Sequence, residues 1–442
     1  MNGKRRLKMK QLTRLFIPIC LETLFYMLSG MVDTLMLSAV GDYAVGAVGT
    51  ANSYIGIFII MFSIISSGMV SVMTQNIGAG RPGVAYQARQ LGLLFNAVAG
   101  VLMAVFLFSG AGAILRMVGI ADALYEPALI YLKIVGGGCI LNAVIPIFSS
   151  YLRAFGYTKQ PLYATIVGNI ANFVMNAVFL FVLHKGVAGV AAATVISKIL
   201  NLCIVLYFSH KLISAKNSTE RIANKTVLGQ IVKVGLPSAC ETALYNVAMM
   251  LVIRFLNQMD AEGLNVTARS YTATISNFSY CVGAALAQAN AIMTGWHIGA
   301  GELEECDRGT KRAAFVGVCV AVCMETAIVL GSGFIIPLFT DNPEMTALVR
   351  KLLAIDIVLE IGRVTNLVFG QALKTSGDAV FPAVIAAVFM FVFAVGGTWL
   401  FGISMGLMAV GAYIGLASDE CVRAVGMVWR WKTGKWRTKK LV

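Results

Sequence analysis

Two groups of polar residues interrupt long apolar stretches of this chain, and their types and spacing could bind or carry ions. Asp33 stands in the segment SGMVDTLML. Asp356, Glu360 and Arg363 follow one another at i, i+4 and i+7 in AIDIVLEIGRVTN, which places them on one side of a helix. An ionisable group inside hydrocarbon costs about 2.5–3.5 kcal/mol or more, so it usually marks a pathway. These residues predict either an ion pathway or a buried ion-pair network.

The other polar candidates in apolar stretches are Tyr131, Asn172, Asn176 and Thr194 in the first half of the chain, with Glu241 and Asn366 in the second. Asn172 and Asn176 are four residues apart and share a helix face. Glu360 and Arg363 can pair directly, which lowers the free energy of burying either charge. The second group is therefore open to two interpretations, a structural ion-pair network that holds helices together or a part of the coupling machinery.

The composition requires a solvent other than water. Hydrophobic residues make up 58% of the 442 residues, charged residues 13%, and mean hydropathy is +0.80, whereas soluble domains hold about 25% charged residues. A bilayer span needs about 20 apolar residues, and hydrocarbon favours helices because each backbone group must be paired internally. We predict an all-α integral membrane protein with twelve transmembrane helices, near 13–39, 47–76, 89–109, 126–150, 161–183, 187–209, 228–256, 266–294, 311–337, 346–371, 380–401 and 406–428.

The net charge of +14 is distributed as in a membrane protein. Basic residues concentrate in the two tails and in the even-numbered loops, so the positive-inside rule predicts cytoplasmic N and C termini in a multi-pass protein of the plasma (inner) membrane. We expect the bilayer, and no nucleic acid, as the partner of these charges. Trp429, Trp431 and Trp436 stand among basic residues and are predicted to anchor the chain at the interface. The nine cysteines form no metal-binding pattern.

The chain contains an internal repeat at an offset of about half its length. IGAGR begins at Ile77 and the similar IGAGE at Ile298. PICLETLFY, from Pro18, is similar to PSACETALY, from Pro237. We predict two six-helix bundles, residues 1–209 and 228–442, joined by a cytoplasmic linker at 210–227. Six spans per copy give a parallel repeat, related by an axis along the membrane normal. Glu22 and Glu241 occupy matching places, which indicates a structural role that we expect to serve backbone groups freed by the prolines.

Several segments together resemble the multidrug and toxic compound extrusion (MATE) transporters. The resemblance is carried by VDTLMLSAVGDYAVGAVG, QNIGAGR, LRAFGYTKQP and GVAGVAAAT in the first half, and by EIGRVTN and LKTSGD in the second. It implies twelve helices in two bundles around a V-shaped central cavity. It also implies a secondary antiporter, functional as a monomer, that exports small amphipathic, often cationic drugs or metabolites in exchange for H⁺ or Na⁺, without any other cofactor.

The same resemblance implies an ion site in the first bundle, with Asp33 as its carboxylate. Asn172 and Thr194 would supply neutral oxygens and Tyr131 a nearby hydroxyl, a ligand set that suits a hard cation such as Na⁺. This chain departs from the resemblance at Asn176, where a second aspartate is usual. With one carboxylate fewer we expect H⁺ rather than Na⁺ as the coupling ion. The alternative is that Asp33 is a polar residue of helix packing.

We expect the substrate cavity to be lined by adaptable methionine and tyrosine side chains, which accept hydrophobic cations: Met27, Met31, Tyr245, Met249, Met250, Tyr271 and Tyr280. The chain has no phosphate-binding loop, so we expect neither ATP hydrolysis nor another enzymatic activity. One alternative is a flippase for a lipid-linked oligosaccharide or another anionic lipid precursor, which would need several arginines. Another is an integral membrane enzyme or receptor, for which the sequence offers no catalytic cluster.

Overall fold

The computed structural model describes residues 2–117, 120–213, 220–260 and 262–442, except for the side chains of residues 2–9 and 42. These residues form helices and no strands. The helices of the first half are α1 (Asn2–Ser38), α2 (Asp42–Gly78), α3 (Pro82–Met117), α4 (Asp122–Gly137), α5 (Cys139–Ala154), α6 (Lys159–Ala177) and α7 (Gly186–Leu212). Those of the second half are α8 (Asn224–Met259), α9 (Leu264–Gly299), α10 (Leu303–Leu330), α11 (Ser332–Ile335), α12 (Pro343–Ser376), α13 (Val380–Phe389) and α14 (Met408–Lys432).

Each of the twelve predicted spans falls on one helix or on a pair, and the differences have local causes. The span predicted at 126–150 is divided into α4 and α5, which meet at 41°. The break lies at a run of three glycines, 136–138, where the backbone has the freedom to bend. The spans predicted at 161–183 and 380–401 begin as α6 and α13, and each continues through π-helical turns that start at Val178 and Met390.

Three long helices are more polar than the others. Eight of the described helices are long and apolar enough to cross a bilayer, nine if α4 and α5 count as one span. The exceptions among the predicted spans are α9, α12 and α14, which carry charged and hydroxyl side chains. Helix α12 packs against both α9 and α14, so these polar groups meet one another rather than lipid. The polar side chains of α9, α12 and α14 therefore lie in the interior between these helices.

An exposed apolar stripe runs along α3. Leu94, Val98, Val101, Leu102 and Val105 recur at helical spacing on one side of this helix, and about half or more of each side chain is exposed. A stripe of this kind is unfavourable in water but suits the hydrocarbon of a bilayer. The exposed face therefore agrees with the predicted membrane environment.

The chain divides into two compact units. We call Ile17–Gly235 the first unit, and Met1–Phe16 together with Leu236–Val442 the second unit. The first has an apolar core that includes Leu107, Leu132 and Val190, and the second has one that includes Leu256 and Leu352. The division of the sequence at 209 and 228 stays a prediction, and residues 214–219 of the predicted linker lie outside the described residues.

The repeated IGAG segment is a helix ending in both halves of the chain. Gly80 closes α2 and Gly301 closes α9, each with φ of +75°. The N–H group after each glycine donates to the carbonyl five residues back, at 2.8 Å in both copies. This left-handed ending is one that glycine adopts without steric strain. The repeat thus preserves a backbone conformation that terminates a helix.

The prediction that all three C-terminal tryptophans anchor the chain at the interface is wrong for two of them. Trp431 and Trp436 stack with ring centroids 4.2 Å apart, and each is 1% exposed. Trp431 Nε1 donates to Asp307 Oδ1 at 2.7 Å. The chain turns at Gly434, in a left-handed conformation, and returns onto the start of α10. Trp429 alone of the three is exposed, at 58%.

Helices α12 and α14 approach closely at Gly362. A Cβ atom at this position would lie 2.7–2.8 Å from backbone atoms of Glu420 and Cys421 on α14. Backbone cannot rotate away as a side chain can, so the absence of a side chain at position 362 sets the distance between these helices. That distance in turn fixes which polar groups of α12 and α14 can meet.

We predict that Gly362→Ala destabilises the folded protein by about 1–3 kcal/mol, because the added methyl group overpacks the α12–α14 contact. Gly370→Ala on the same helix is the matched control, since its Cβ would have no neighbour closer than 3.9 Å. Thermal denaturation of the purified proteins in detergent measures the difference. Equal melting temperatures for the two variants would contradict this account.

Candidate functional site: polar clusters in both units

Asp33 meets Asn176 of α6 in the interior of the first unit, next to Asn172 of the same helix. Asn176 Nδ2 donates to Asp33 Oδ1 at 2.8 Å and to Asn172 Oδ1 at 3.2 Å. Asn176 is fully buried and Asn172 is 5% exposed, while Asp33 is half-buried. Asn176, where the resemblance to MATE transporters would place a second aspartate, therefore contacts the Asp33 carboxylate directly and donates a hydrogen bond to it.

A lysine that we did not predict belongs to the same cluster. Lys198 lies on α7, four residues after Thr194, and its Nζ donates to Asn142 Oδ1 at 2.9 Å. Its charge interacts with that of Asp33, although no ion pair within 4 Å joins these two described side chains. Lys198 interrupts the apolar run VISKILN, so the search for ionisable groups in apolar stretches could have found it.

Tyr131 and Thr194 complete the first-unit cluster. Tyr131, on α4, is 4% exposed, and its hydroxyl lies against the side chains of Thr194 and Asn52. Thr194 Oγ1 donates to the carbonyl of Val190 at 2.9 Å, a common way for a threonine to satisfy its hydroxyl inside a helix. The structure thus brings together all five residues of the predicted ion site, with Lys198 as a nearby positive charge.

The charges of α12 continue into a network on α14. Arg363 forms an ion pair with Glu360 and lies 3.7 Å from Glu420. Arg423 pairs with Glu420 at 2.8 Å and with Asp419 at 2.7 Å. Asn366, at the end of the predicted stripe, donates to Glu420 Oε2 at 3.0 Å. Arginine suits this position, because its planar group can bridge two carboxylates.

A third acidic residue, Glu325 of α10, lies next to Asp356 and Glu360. One carboxylate oxygen from each of these residues lies within 4.8 Å of the other two, and all three side chains are buried. Glu325 interrupts the apolar segment VCMETAIV and is not among the residues predicted from the sequence. Like Lys198, it could have been found as a charge inside a predicted span.

A cavity of about 280 Å³ opens beside this network, wholly within the second unit. Three of the residues predicted to contact substrate line it, Tyr245, Met249 and Tyr280. Arg363 lies over the Tyr280 ring, 5.7 Å from its centroid. The remaining polar lining residues are Arg269, Ser276, Asn277, Asp356, Tyr413, Asp419 and Glu420.

The other residues predicted to contact substrate lie elsewhere. Tyr271 packs against the ring of Phe339 at 5.6 Å and is not among the residues that line this cavity. Met27 and Met31 belong to the first unit, where Met31 is 42% exposed on α1. Met250 is exposed on α8, at 70%.

Glu22 and Glu241 form equivalent ion pairs in the two units. Glu22 lies 2.5 Å from Arg153, and Glu241 lies 2.7 Å from Lys374. The two basic residues are the second residues of LRAFGYTKQP and LKTSGDAVFP, so both partners of each pair belong to the repeat. We expected these glutamates to serve backbone groups freed by the prolines. They pair with basic side chains instead, so that expectation is wrong. Glu241, predicted to be part of the second-half polar network, has Lys374 rather than Arg363 as its partner.

Comparison with known proteins identifies the family. The sequence matches the MatE family over residues 18–178 and 237–400, which is most of the chain and includes both copies of the repeat. The chain belongs to the MatE family. Members of this MATE family are transporters and not enzymes, and the solved MATE structures that it matches have twelve transmembrane helices.

The relatives extend over nearly the whole chain. An uncharacterized transporter of Bacillus subtilis (strain 168), YisQ, is 33% identical over 428 residues, 96% of this chain and 94% of the relative. A probable multidrug resistance protein of Thermotoga maritima, NorM, is 21% identical over 98% of this chain and 94% of the relative. A crystal structure of a MATE protein in the bent conformation has a TM-score of 0.85 at 20% identity, covering 97% of this chain and 96% of that one. The predicted fold is confirmed.

We predict that Glu360→Gln and Arg363→Ala each reduce the yield of folded MATE protein. Arg363→Ala leaves the buried Glu360 carboxylate without its partner, and Glu360→Gln leaves Arg363 with only the more distant Glu420, at 3.7 Å; breaking a buried ion pair costs roughly 3–5 kcal/mol. The double variant Glu360→Gln with Arg363→Met should recover much of the loss, because Glu420 retains Arg423 and Asn366. Fluorescence-detected size-exclusion chromatography measures the yield. If both single variants fold normally and yet lose transport, the pair belongs to the transport mechanism instead.

Proposed function

We propose that this MATE transporter is a secondary antiporter that exports small amphipathic organic cations in exchange for H⁺, with Asp33 as the coupling carboxylate. The observation that carries the proposal is the hydrogen bond from Asn176 to Asp33 in the interior of the first unit. A carboxylate held there by a neutral amide can gain and lose a charge without breaking an ion pair. An ionisable group of this kind, within a membrane-spanning helix, is suited to coupling.

The neighbours of Asp33 favour H⁺ over Na⁺. A proton needs one lone pair of the carboxylate, whereas Na⁺ needs several oxygen ligands and surplus negative charge. Asn176 turns its N–H group, not its oxygen, towards Asp33. Lys198 adds a positive charge that interacts with the same carboxylate, so a metal cation would find little net negative charge in this cluster.

The cavity of the second unit supports a substrate with cationic and aromatic parts. Tyr245, Tyr280 and Met249 offer surfaces that accept apolar and cationic groups. Three carboxylates, of Asp356, Asp419 and Glu420, line the same cavity with two guanidinium groups, of Arg269 and Arg363, so acidic groups outnumber basic ones in its lining. The relative NorM is named as a probable multidrug resistance protein, which agrees with a small organic substrate. We propose that the protein binds such compounds within the membrane and functions as a monomer.

The arrangement of arginines does not favour the flippase. A pyrophosphate group would need several arginines free to bind it. Arg254 is exposed on α8, and Arg363 is already held by Glu360 and Glu420. Arg269 lines the cavity, where its Nη2 lies 3.7 Å from the sulfur of Met249. We therefore keep organic-cation export as the proposed activity.

The distribution of basic residues supports a plasma-membrane location with both termini in the cytoplasm. Arg430 pairs with Asp378 at 2.7 Å and Arg437 pairs with Glu304 at 2.7 Å. Asp378 and Glu304 lie in segments that the positive-inside rule also assigns to the cytoplasm. The C-terminal tail and these segments should therefore lie on one side of the membrane.

The purified protein in liposomes tests the proposed function. We expect ethidium counterflow, and ethidium movement driven by an imposed pH gradient. Asp33→Asn should abolish the gradient-driven movement without reducing the amount of protein in the membrane, because the neutral amide cannot exchange a proton. Asp122→Asn, an exposed acid at the start of α4, is the control and should transport normally. Transport by Asp33→Asn at the wild-type rate would show that Asp33 is a packing residue.

We predict that Asn176→Asp makes transport respond to Na⁺, because the site then holds two carboxylates at hydrogen-bond distance. Combining it with Lys198→Met should strengthen the response by removing a competing positive charge. Asn169→Asp places the same carboxylate two turns away on the same helix, where the half-buried Asn169 donates to the carbonyl of Phe25 at 2.9 Å; it is the matched control and should leave the ion dependence unchanged. The measurement is ethidium transport with Na⁺ or K⁺ at fixed pH. Strong Na⁺ stimulation of the unmodified protein, without any response to a pH gradient, would rule out H⁺ coupling.

A further inference from the structure

One guanidinium group in the cavity of the second unit is not engaged by an acidic residue. Arg269, on α9, lines the cavity and forms no ion pair with any carboxylate of the described residues. Its Nη2 lies 3.7 Å from the sulfur of Met249, and its buried Nε has no hydrogen-bond partner. A thioether is a weak acceptor, so the described side chains leave the positive charge of Arg269 without a strong partner.

The second guanidinium group of the lining is already engaged. Arg363 forms an ion pair with Glu360 and lies 3.7 Å from Glu420. Glu420 is also held by Arg423, at 2.8 Å. A ligand that approached these groups would have to compete with the ion pairs that they form with one another. Arg269 is different, because its donors can pair with a ligand without breaking an ion pair of the protein.

Arg269 stands apart from the acidic part of the lining. It lies seven residues before Ser276 on α9, and Ser276 lies against Asp356. Seven residues span about 10 Å of helix, at roughly 1.5 Å per residue. Tyr413 also lines the cavity, and its hydroxyl interacts with the charges of both Arg269 and Asp356. The cavity therefore has a basic end at Arg269 and an acidic end at Asp356, with a tyrosine between them.

We infer that Arg269 determines substrate specificity by binding a carboxylate, or a similar anionic group, of the transported compound. A planar guanidinium group can donate two parallel hydrogen bonds to the two oxygens of a carboxylate. An ester of the same compound has no negative charge and offers no such pair of equivalent oxygens. The cavity should therefore select an organic cation that also carries a carboxylate over the ester of that compound.

The surroundings of Arg269 suit a compound whose anionic group is attached to an apolar frame. Met249 and Tyr245, one turn apart on α8, line the cavity beside it. Their side chains can pack against an aromatic or aliphatic part of the compound. A charged hydrogen bond is also stronger where apolar side chains reduce the local dielectric. The inference rests on the proposed function, since it assumes that organic compounds bind in this cavity.

Equilibrium binding of two matched dyes to the purified full-length protein tests the inference. Tetramethylrhodamine carries a free carboxylate beside its delocalised positive charge, and its methyl ester differs in that one group. Fluorescence anisotropy measures both affinities in detergent, without any ion gradient. We expect the unmodified protein to bind the carboxylate form about tenfold more tightly than the ester, because hydrogen bonds between charged groups are the strong ones. Equal affinities, or tighter binding of the ester, would overturn the inference.

Arg269→Met is the decisive variant, because it removes the charge and keeps an apolar stem. The ratio of the two affinities should fall to about one or below, since the carboxylate would then meet a predominantly acidic lining. Arg254→Met is the matched control: this arginine is exposed on α8, is not among the residues that line the cavity, and should keep the unmodified ratio. Arg269→Lys retains the charge without the paired donors and should give an intermediate ratio. It supplies the second test if Arg269→Met folds poorly, and an unchanged ratio in the variants of Arg269 would refute its role.

The outcomes separate this inference from the proposed function. If both dyes bind and their ratio does not respond to position 269, the carboxylate site is refuted while export of organic cations stands. If neither dye binds, both the inference and the use of this cavity by organic cations fail. The H⁺ coupling proposed for Asp33, in the first unit, does not enter either measurement, because no gradient is applied.

Discussion

The structure of the second unit depends on how it compensates charge in a membrane interior. Carboxylates on α10, α12 and α14 are buried, and Arg363 and Arg423 pair with three of them, Glu360, Asp419 and Glu420. Burying a charge without a partner is far more costly than burying a pair. This requirement explains why α9, α12 and α14, the helices least suited to lipid, pack against one another. It also explains the glycine at position 362, which allows α12 and α14 to approach closely enough for the charges to meet.

The two units meet the same constraint differently. The predicted ion site of the first unit holds one carboxylate, Asp33, hydrogen-bonded to an amide, with the charge of Lys198 nearby. The second holds a network in which acids outnumber bases. The first cluster thus has a charge close to balance, whereas the interior of the second unit relies on arginines to compensate several acids. The duplication therefore preserved the helical unit while the polar interiors diverged in charge.

What the repeat preserves is mostly structural. Both copies keep the left-handed glycine of IGAG that ends a helix, and both keep a glutamate paired with a basic residue of the same copy, Glu22 with Arg153 and Glu241 with Lys374. These features specify where helices end and how they are held together. Residues that carry ions or contact substrate are under no such requirement to match, because each site needs its own balance of charge.

The sequence by itself determined the helices, their membrane environment, the repeat and the family, since apolar runs, glycine signals and duplicated segments are local properties of the chain. The spacing of Asn172 and Asn176 placed them on one helix face, and the resemblance to the family implied Asp33 as their neighbour. Only the tertiary structure placed Lys198 near Asp33, Glu325 beside Asp356 and Glu360, and Trp431 against Trp436. Those contacts depend on the rotation and register of one helix against another. Spacing along a single helix reports which residues share a face, but not which face of another helix they will meet.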